Sequence, residues 1–248
     1  AQATGVPAFD NLPAMLEAAR PDILDIATPP PTHADAIRRA IAADVATVIC
    51  QKPFCASLDE ARQVAIEAEA AGLTLVIHEN FRFQPWYRII KSALEAGEVG
   101  DVRQITFRLR TGDGQGPRAY LDRQPYFQTM PRLLVHETAV HWIDTFRYLL
   151  GDPTAVYADL RRMNPVIAGE DAGYILFDHG RARALFDGNR LLDHDAENHR
   201  VTLGEALVEG SAGTLTLTGD GAVHHRSFGS RGGRTLLAAR EYAVFGGD

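Results

Sequence analysis

The first third of the sequence alternates between short, largely apolar runs and segments with the polarity pattern of helices. The apolar runs cover residues 22–27, 45–50 and 73–77, and the helical segments between them cover residues 32–43 and 57–71. Runs of this length and composition are typical of strands buried inside a parallel sheet. Strands that alternate with helices are joined by right-handed crossovers, so we expect the three strands to end at one edge of one parallel sheet.

Both helices are predicted to begin at a capping box, in which a hydroxyl side chain and an acidic side chain three residues later satisfy the first amide groups. Thr32 is paired with Asp35 in this way, and Ser57 is paired with Glu60. Gly72 follows the second helix, and glycine favours the left-handed conformation in which helices end. The sequence therefore defines both ends of the second helix and the start of the first.

A different pattern begins near residue 84. Helices are predicted at residues 85–96 and 132–150, and strands separated by glycine-containing turns fill most of the rest, which favours an antiparallel sheet. The predicted strands are residues 102–109, 155–163, 174–177, 182–186, 201–208 and 214–218. The predicted fold class is therefore α/β, with a partial parallel-sheet domain at residues 1–83 and an α+β domain at residues 84–248 built on a large, open, mostly antiparallel sheet.

Charge and composition argue against some function classes. The net charge of −7 disfavours nonspecific binding to nucleic acid. No apolar run approaches the length of a membrane span and no signal-peptide pattern is present, so we expect neither a nucleic acid nor a membrane as partner. Cys50 and Cys55 form neither a C-x-x-C motif nor a disulfide framework, which predicts a reducing, cytoplasmic location.

Lys52 lies where α/β proteins place their chemistry. It stands between Gln51 and Pro53, directly after the apolar run at residues 45–50. Open α/β sheets bind ligands at the carboxyl ends of their strands, and a neighbouring proline restricts the backbone, so a functional lysine is favoured. The alternative is an ordinary strand-end lysine whose stem covers apolar surface while its ammonium group reaches water.

The predicted helix at residues 132–150 has a polar stripe. At about 100° per residue, Glu137, His141, Asp144 and Tyr148 fall on one side, and apolar residues cover the opposite side. Glu137 and His141 are one turn apart, so the carboxylate can orient the imidazole. The stripe predicts an acid–base pair, although similar pairs occur on the polar faces of purely structural helices.

The same segment is similar to a zinc-protease motif but does not suit a metal ion. His136 and His141 are separated by one residue more than the histidines of H-E-x-x-H, which places them about 140° apart on a helix. Two side chains so placed cannot bind one metal ion from the same helix face. No metal site is therefore predicted.

Four segments, in this order, resemble the glucose–fructose oxidoreductase and inositol dehydrogenase (Gfo/Idh/MocA) superfamily. Residues 22–33 resemble its D-h-h-x-I-x-T-P-x-x-x-H stretch, and Gln51-Lys52-Pro53 is similar to its E-K-P motif. Asn80-Phe81-Arg82-Phe83 resembles its arginine segment, and Glu137-Thr-Ala-Val-His141-Trp-Ile-Asp144 resembles its D-x-G-x-H-x-x-D helix. Each motif is weak alone, but the ordered set is specific and covers nearly the whole chain.

The resemblance implies an oxidoreductase that uses NAD or NADP and acts on a CH–OH group of a sugar, a polyol or a related polyhydroxylated compound. Residues 1–83 would be the C-terminal part of a dinucleotide-binding Rossmann domain, and residues 84–248 would bind the substrate and form a homodimer or homotetramer. The implied catalytic residues are Lys52, His141 and Glu137, and the implied substrate contacts include Arg82 and Asp144. The implied cofactor contacts are Thr28, Pro29, Pro30, His33, Gln51, Lys52 and Pro53.

The resemblance further implies particular roles at the site. The lysine would contact both the nicotinamide ribose and the substrate hydroxyl, His141 would transfer the proton, and Glu137 would bind substrate hydroxyls or orient His141. Arg82 is open to a second interpretation, a structural salt bridge. The Lys52–Pro53 peptide bond is expected to be cis.

Departures from the family pattern leave two other functions open. Gln51 replaces the usual glutamate, Glu137 replaces aspartate, Ala139 replaces glycine, and the first βαβ unit with its G-x-G-x-x-G turn is expected to be missing from this sequence. These departures favour a catalytically silent binding or scaffold protein. A third hypothesis is a glycosidase-like relative that uses NAD only transiently.

The stretch at residues 112–131 mixes glycine and proline with aromatic and charged side chains, among them Tyr120. Loops of this length are usually functional or disordered. We expect a lid over a polyhydroxylated ligand, with Tyr120 as a substrate contact.

Overall fold

The structure, a computed structural model, describes residues 5–239, which divide after Glu79 into two units. Each unit has its own sheet and its own hydrophobic core. Within the described residues, no helix is long and apolar enough to cross a membrane.

The first unit is a three-stranded parallel sheet with helices between its strands. Its strand order is β1-β2-β3, and both neighbouring pairs are parallel. The elements are α1 (Leu12–Ala19), β1 (Ile23–Ile26), α2 (His33–Ala42), β2 (Thr47–Gln51), α3 (Leu58–Ala70) and β3 (Thr74–His78). The prediction of a parallel α/β sheet in this part of the chain is confirmed, and the three strands end at one edge.

The predicted capping box at the start of α3 is confirmed. The Ser57 hydroxyl accepts a hydrogen bond from the amide of Glu60 at 3.2 Å. The Glu60 carboxylate accepts one from the amide of Ala56 at 3.1 Å, one residue earlier than the usual partner. Gly72, with φ +70°, follows the end of the helix as predicted.

The predicted capping box at the start of α2 is wrong. Pro30–Thr32 forms a 3-10 turn, so the backbone of Thr32 is already in the helical region when α2 begins. Its hydroxyl donates a hydrogen bond to the carbonyl of Pro29 at 2.8 Å and makes no cap to α2. A threonine caps a helix only from an extended backbone, and the prolines before it impose the turn instead.

The patterns described above do not predict α1, although its start has a local signal. The side chain of Asn11 accepts a hydrogen bond from the amide of Ala14 at 3.0 Å, and Pro13 occupies the first turn, both typical of helix starts. The helix has eight residues and buries Leu16. Its hydrophobic pattern is therefore too short to stand out in the sequence.

The core of the first unit fixes the strand that leads to Lys52. Val48 and Cys50 on β2 are fully buried, and so are Ile37 of α2 and Val64 of α3. Burial of one aliphatic side chain of this size contributes roughly 1.5–3 kcal/mol. The central strand is therefore held by its neighbours in the sheet and by both helices up to its carboxyl end.

The second unit is built on an eight-stranded sheet with the order β11-β10-β9-β8-β4-β7-β6-β5. The β4–β7 pair is parallel and the other neighbouring pairs are antiparallel. The elements are α4 (Pro85–Glu95), β4 (Val102–Leu109), α5 (Val140–Leu150), β5 (Ala155–Arg161), β6 (Ala172–Asp178), β7 (Arg183–Asn189), β8 (Gly204–Gly210), β9 (Gly213–Leu217), β10 (Val223–Ser227) and β11 (Arg234–Leu237). The prediction of a large, mostly antiparallel open sheet is confirmed.

Strands β10 and β11 are not predicted from the sequence. The residues of β10 include His224, His225 and Arg226, so the strand lacks the apolar alternation of a half-buried strand. Its pairing with β9 places His225 on the covered side, where the imidazole is buried and lies 3.1 Å from the carbonyl oxygen of Glu98. Tertiary pairing therefore decides this strand, against its weak local preference.

The predicted single helix over residues 132–150 is wrong in its first part. Leu134–Ala139 forms a π-helical turn, and the α-helix begins at Val140. A π-turn is wider than an α-turn, so the polar stripe drawn at a constant angle does not continue back through Glu137. Glu137 and His141 are 7% and 8% exposed and do not lie on an open polar face.

The apolar side of α5 packs into an aromatic core, as predicted. The Trp142 ring stacks on Phe107 of β4 at 4.2 Å between ring centroids and lies 5.5 Å from Phe186 of β7. Its indole N–H donates to the hydroxyl of Tyr87 on α4 at 2.9 Å. Since Trp142 follows His141 in the chain, this packing also fixes the backbone beside the predicted catalytic histidine.

Candidate active site

Two adjacent loops at the carboxyl edge of the first sheet contain six of the seven predicted cofactor residues. Thr28, Pro29 and Pro30 follow β1, and Gln51 at the end of β2 leads into Lys52 and Pro53; the seventh, His33, is the first residue of α2. The Lys52–Pro53 peptide bond is cis, as the resemblance implied. The edge therefore brings together all the residues of this group.

His33 joins the two loops. Its Nε2 atom lies 2.6 Å from the carbonyl oxygen of Thr28, and its Nδ1 atom lies 3.0 Å from that of Phe54. Each ring nitrogen is thus placed against one carbonyl oxygen, one from each loop. The side chain is completely buried. His33 thus bridges the two loops and fixes the distance between them.

Gln51 reaches across to the end of the neighbouring strand. It is the register partner of His78, and its Nε2 atom lies 2.7 Å from Nδ1 of that histidine. The amide can donate to the ring nitrogen, which then leaves the proton of a neutral imidazole on Nε2. His78 is exposed and was not among the predicted site residues, because its position beside Gln51 depends on strand register.

Lys52 is one of two lysines in the sequence; the other is Lys91. Both lysines are half-buried, Lys52 at the strand end and Lys91 on α4, where it forms an ion pair with Glu95 at 3.6 Å. The cationic surface of this chain is otherwise made of arginine. A lysine at this edge therefore differs from the other cations both in chemistry and in location.

In the second unit, the turn at Phe81–Phe83 covers the polar side of α5. The rings of Phe81 and His141 stack with their centroids 3.8 Å apart and their planes 10° apart. The guanidinium group of Arg82 donates two hydrogen bonds to the carboxylate of Asp144, one of them at 2.6 Å from Nε to Oδ2. Arg82 also lies over the Tyr148 ring, 5.5 Å from its centroid.

In this arrangement Arg82 and Asp144 form an ion pair with each other. Their side chains are 32% and 19% exposed, so the pair is partly removed from water. A bidentate guanidinium–carboxylate pair has both strength and a fixed geometry. It fastens the turn that carries Phe81, and thereby the ring that lies flat on His141.

Glu137 lies within the electrostatic reach of an aromatic hydroxyl that the sequence did not single out. Partial burial raises the pKa of Tyr126, and the negative charge of Glu137 raises it further. Tyr126 is 43% exposed and precedes the buried Phe127, whose ring lies 5.0 Å from its own. The sequence signal that could have identified Tyr126 is its position in a long loop rich in aromatic residues.

Tyr120 is packed against a buried arginine. Its hydroxyl accepts a hydrogen bond from Nε of Arg190 at 2.8 Å, and burial raises the pKa of Tyr120 to about 12. Arg190 also donates to Asp113 at 2.7 Å. Burial opposes the charge on Arg190, but the Asp113 carboxylate and Tyr120 together raise the pKa of the guanidinium above its ordinary value. Arg190 was not among the predicted site residues.

The stretch at residues 112–131, predicted to be a lid, is joined to other parts of the second unit by hydrogen bonds. The side chain of Asn164 donates to the carbonyls of Gly114 and Gly116 at 2.7 and 2.9 Å. Near the other end, the amide of Ala168 donates to the carbonyl of Gln128 at 2.8 Å. These contacts hold both ends of the stretch, and its role as a substrate lid remains a prediction.

The predicted site residues thus form one group in each unit. Lys52 and the cofactor candidates lie in the first, while Glu137, His141, Arg82, Asp144 and Tyr120 lie in the second. Within residues 5–239, no three His, Cys, Asp or Glu side chains are arranged to hold a metal ion.

Comparison with known proteins gives a family match for both units. Residues 1–79 match the model of an oxidoreductase family with an NAD-binding Rossmann fold, named GFO_IDH_MocA. Residues 87–216, more than half of the chain, match the GFO/IDH/MocA C-terminal domain.

Two curated relatives of this chain are D-apiose dehydrogenases. The chain is 36% identical over 236 residues to D-apiose dehydrogenase of Paraburkholderia graminis, covering 93% of this chain and 59% of that protein. It is 33% identical over 198 residues to D-apiose dehydrogenase of Rhizobium rhizogenes, covering 79% of this chain and 55% of that protein. The chain therefore spans less than two thirds of the length of these relatives.

A solved structure with the same fold is an oxidoreductase from Agrobacterium radiobacter in complex with NAD+, L-tartaric acid and magnesium. It superimposes with a TM-score of 0.75 at 30% sequence identity, covering 86% of this chain and 60% of that one. The fold likeness extends over both units of the present chain.

Proposed function

Because the chain belongs to the Gfo/Idh/MocA oxidoreductase family, we propose that it acts in an NAD(P)-dependent dehydrogenase that oxidises a CH–OH group of a sugar, polyol or related compound. The observation that carries the proposal is Lys52, a half-buried lysine at the carboxyl end of the central parallel strand, inside the segment matched to the NAD-binding family. Such edges are where open α/β sheets bind ligands.

The residues of this edge fit the nicotinamide end of a dinucleotide. Thr28 and Gln51 supply polar groups, the prolines give a stiff loop surface, and the enclosed His33 fixes the spacing of both loops. When bound, the nicotinamide supplies the hydride acceptor. We infer that the first unit binds the nicotinamide end of NAD or NADP. His33 would act indirectly, by fixing the positions of the two loops.

The protein's own contribution to oxidation is to place a base at the substrate hydroxyl. We assign Lys52 to hydrogen bonding with the nicotinamide ribose and the substrate hydroxyl, and His141 to accepting the hydroxyl proton. Glu137 would bind neighbouring hydroxyls or orient His141. Arg82 and Asp144 would act mainly through each other, by holding Phe81 against the His141 ring. Tyr120 is proposed as a wall residue of the substrate pocket.

The relatives guide the choice of substrates. D-Apiose is the substrate named for two of them, so a branched pentose heads the panel, followed by linear aldoses, inositols and sugar acids. A net increase in NADH or NADPH absorbance with one of these compounds supports the proposal. Bound cofactor without net turnover would favour the transient-NAD hypothesis, and no cofactor binding by the folded native protein would favour the silent homologue.

The decisive variant is Lys52→Met, because methionine keeps the length of the stem and removes the charge and the proton donor. We expect kcat/KM to fall by at least about 100-fold, within the range for loss of an acid–base group, while the protein stays folded. Lys91→Met is the matched control, since it removes the sequence's other lysine, which is also half-buried, from α4. Activity of Lys52→Met equal to that of Lys91→Met would rule out the assignment.

We also propose that a second copy covers the open face of the large sheet, giving a homodimer or homotetramer. On this face Tyr157, Tyr174 and Leu207 are 67%, 54% and 37% exposed, whereas Phe107 and Phe186 on the covered face are buried. Large exposed apolar patches usually mark interfaces. Sedimentation of the native protein and of Leu207→Arg tests this: a native monomer, or an unchanged oligomer in the variant, would contradict it.

A cytoplasmic location is proposed from Cys50 and Cys55, which are buried as free thiols. Both remain reduced in a compartment that maintains thiols. Cell fractionation followed by thiol labelling under denaturing conditions measures location and redox state together.

A further inference from the structure

Arg190 lies directly after β7 and is the most completely enclosed cation of the second unit's candidate site. Its residue exposure is 5%, and no catalytic or binding role was assigned to it above. Burying a guanidinium group is unfavourable unless its N–H groups donate hydrogen bonds. Each hydrogen-bond partner of Arg190 therefore contributes to the stability of the folded state.

Three hydrogen bonds from this guanidinium reach two different parts of the chain. Nε donates to the hydroxyl of Tyr120 at 2.8 Å, and Nη2 donates to the carboxylate of Asp113 at 2.7 Å; both acceptors belong to the stretch at residues 112–131. Nη1 donates to the hydroxyl of Thr138 at 2.6 Å, in the π-turn. The rings of Tyr120 and Phe127 also lie within 4.9 and 5.3 Å of the guanidinium carbon.

The π-turn needs contacts from outside itself. π-turns are rare and occur mostly at functional sites, and this one places Glu137 beside Thr138 and ends two residues before His141. At its start, the amides of Leu134 and Val135 donate to the main-chain and side-chain oxygens of Glu170, each at 3.0 Å. At its other end, the side-chain contact to Thr138 comes from Arg190.

The packing around the guanidinium leaves little space for another arrangement. A Cβ atom on Gly114 would lie 2.8 Å from the Tyr120 hydroxyl oxygen and 3.0 Å from the carbonyl oxygen of Arg190. The amide of Gly114 donates to that same carbonyl at 2.9 Å. A lysine in place of the arginine supplies one compact ammonium group and cannot match donors fixed in three directions.

We propose that Arg190 is a positioning residue for the dehydrogenase reaction: through Thr138 it sets the π-turn that places Glu137 and His141, and through Tyr120 and Asp113 it sets the wall beside them. This rests on the proposed function for its catalytic consequence. Its structural half, that one buried guanidinium holds both segments, stands independently.

Arg110 provides a matched control. It directly follows β4 and is 6% exposed, with Nη2 2.5 Å from the carboxylate of Asp187 and Nη1 2.9 Å from that residue's carbonyl oxygen. The hydrogen bonds of its guanidinium group go to Leu109 of β4 and Asp187 of β7. Arg110→Met therefore breaks a buried ion pair without removing the contact to Thr138.

The first readout is amide hydrogen exchange in the native protein carrying Arg190→Ala, Thr138→Val or Arg110→Met. We expect at least about 10-fold faster exchange at residues 134–140 in the first two variants and not in Arg110→Met, because local opening follows the loss of local contacts. Thr138→Val removes only one hydroxyl and guards against a general failure to fold. Unchanged exchange at residues 134–140 in both Arg190→Ala and Thr138→Val would overturn the proposal.

The second readout is steady-state kinetics with the best substrate of the panel. Arg190→Ala should lower kcat by about 10- to 100-fold, since small misplacements of reacting groups are costly, while the KM for the dinucleotide changes less than twofold. Ethylguanidinium should restore part of the activity, and Arg190→Lys should not. Losses in Arg190→Ala that only match those in Arg110→Met, without guanidinium rescue, would refute a catalytic consequence. Absence of any wild-type turnover would refute the proposed function, while the exchange result would still decide the positioning claim.

Discussion

A double-mutant cycle on Arg82 and Asp144 distinguishes a fastening ion pair from two separate substrate contacts. The perturbations are Arg82→Met, which keeps the stem and removes the charge, and Asp144→Asn, which keeps the shape of the side chain. The two side chains are joined by two hydrogen bonds, one of them 2.6 Å long. If the pair fastens the Phe81 turn, the two variants must be coupled.

The structure sets the size of the coupling. A hydrogen bond to a charged group contributes roughly 1.5–3 kcal/mol when buried, whereas an exposed ion pair contributes about 0.2–1 kcal/mol. With exposures of 32% and 19%, this pair lies between these limits. We therefore expect a coupling free energy of about 1–2 kcal/mol at low salt. It should decrease at about 1 M salt, where the Debye length is only about 3 Å.

Tryptophan fluorescence in urea measures the free energy of unfolding of the relevant unit, because both tryptophans, Trp86 and Trp142, lie in the second unit. The KM for substrate should show the same coupling, since both variants release the same turn. Additive effects on stability, within about 0.3 kcal/mol, would refute the argument. An increase in KM from Asp144→Asn that persists undiminished in the Arg82→Met background would instead identify Asp144 as a direct substrate contact.

Three further predictions concern single groups. Ser57→Ala should destabilise the first unit by about 1 kcal/mol through loss of the α3 cap, as followed by circular dichroism in urea. Tyr120→Phe leaves the Nε donor of Arg190 without its acceptor and should cost about 1–3 kcal/mol of second-unit stability in the tryptophan assay. Burial raises the pKa of Cys50 to about 12 and that of Cys55 to about 11. Both thiols should react with a disulfide reagent far more slowly in the folded protein than in urea. Their contribution to stability should be intact below about pH 8.5 and fall as the pH rises towards 11, because the unfolded chain loses these protons first.

Two capping boxes with the same spacing show how far local patterns predict the fold. Ser57 follows a segment free to adopt an extended backbone, so the predicted cap forms. Thr32 follows three prolines, and the 3-10 turn they impose places it in the helical region before α2 begins. The spacing of residue types predicts which groups can bond. The preceding backbone decides whether they do.

The candidate site divides in a similar way. Lys52 and His141 were predicted because each belongs to a contiguous motif with a recognisable position in a strand or helix. Arg190 was not, since its role comes from partners at positions 113, 120 and 138, at least 52 residues away in the chain. The π-turn was missed for the same reason, because its contacts to Glu170 and Arg190 are long-range.

In both units, a predicted functional side chain is adjacent in sequence to a deeply buried one. Lys52 precedes the buried Pro53, Glu137 precedes Thr138, which is 4% exposed, and His141 precedes the fully buried Trp142. The buried neighbour fixes the backbone next to the functional group and so limits where that group can lie. Packing interactions fix the position of a residue more rigidly than exposed polar contacts do. Substitutions that change the volume of a buried neighbour should therefore displace the acid–base groups as much as substitutions of the exposed polar residues around them.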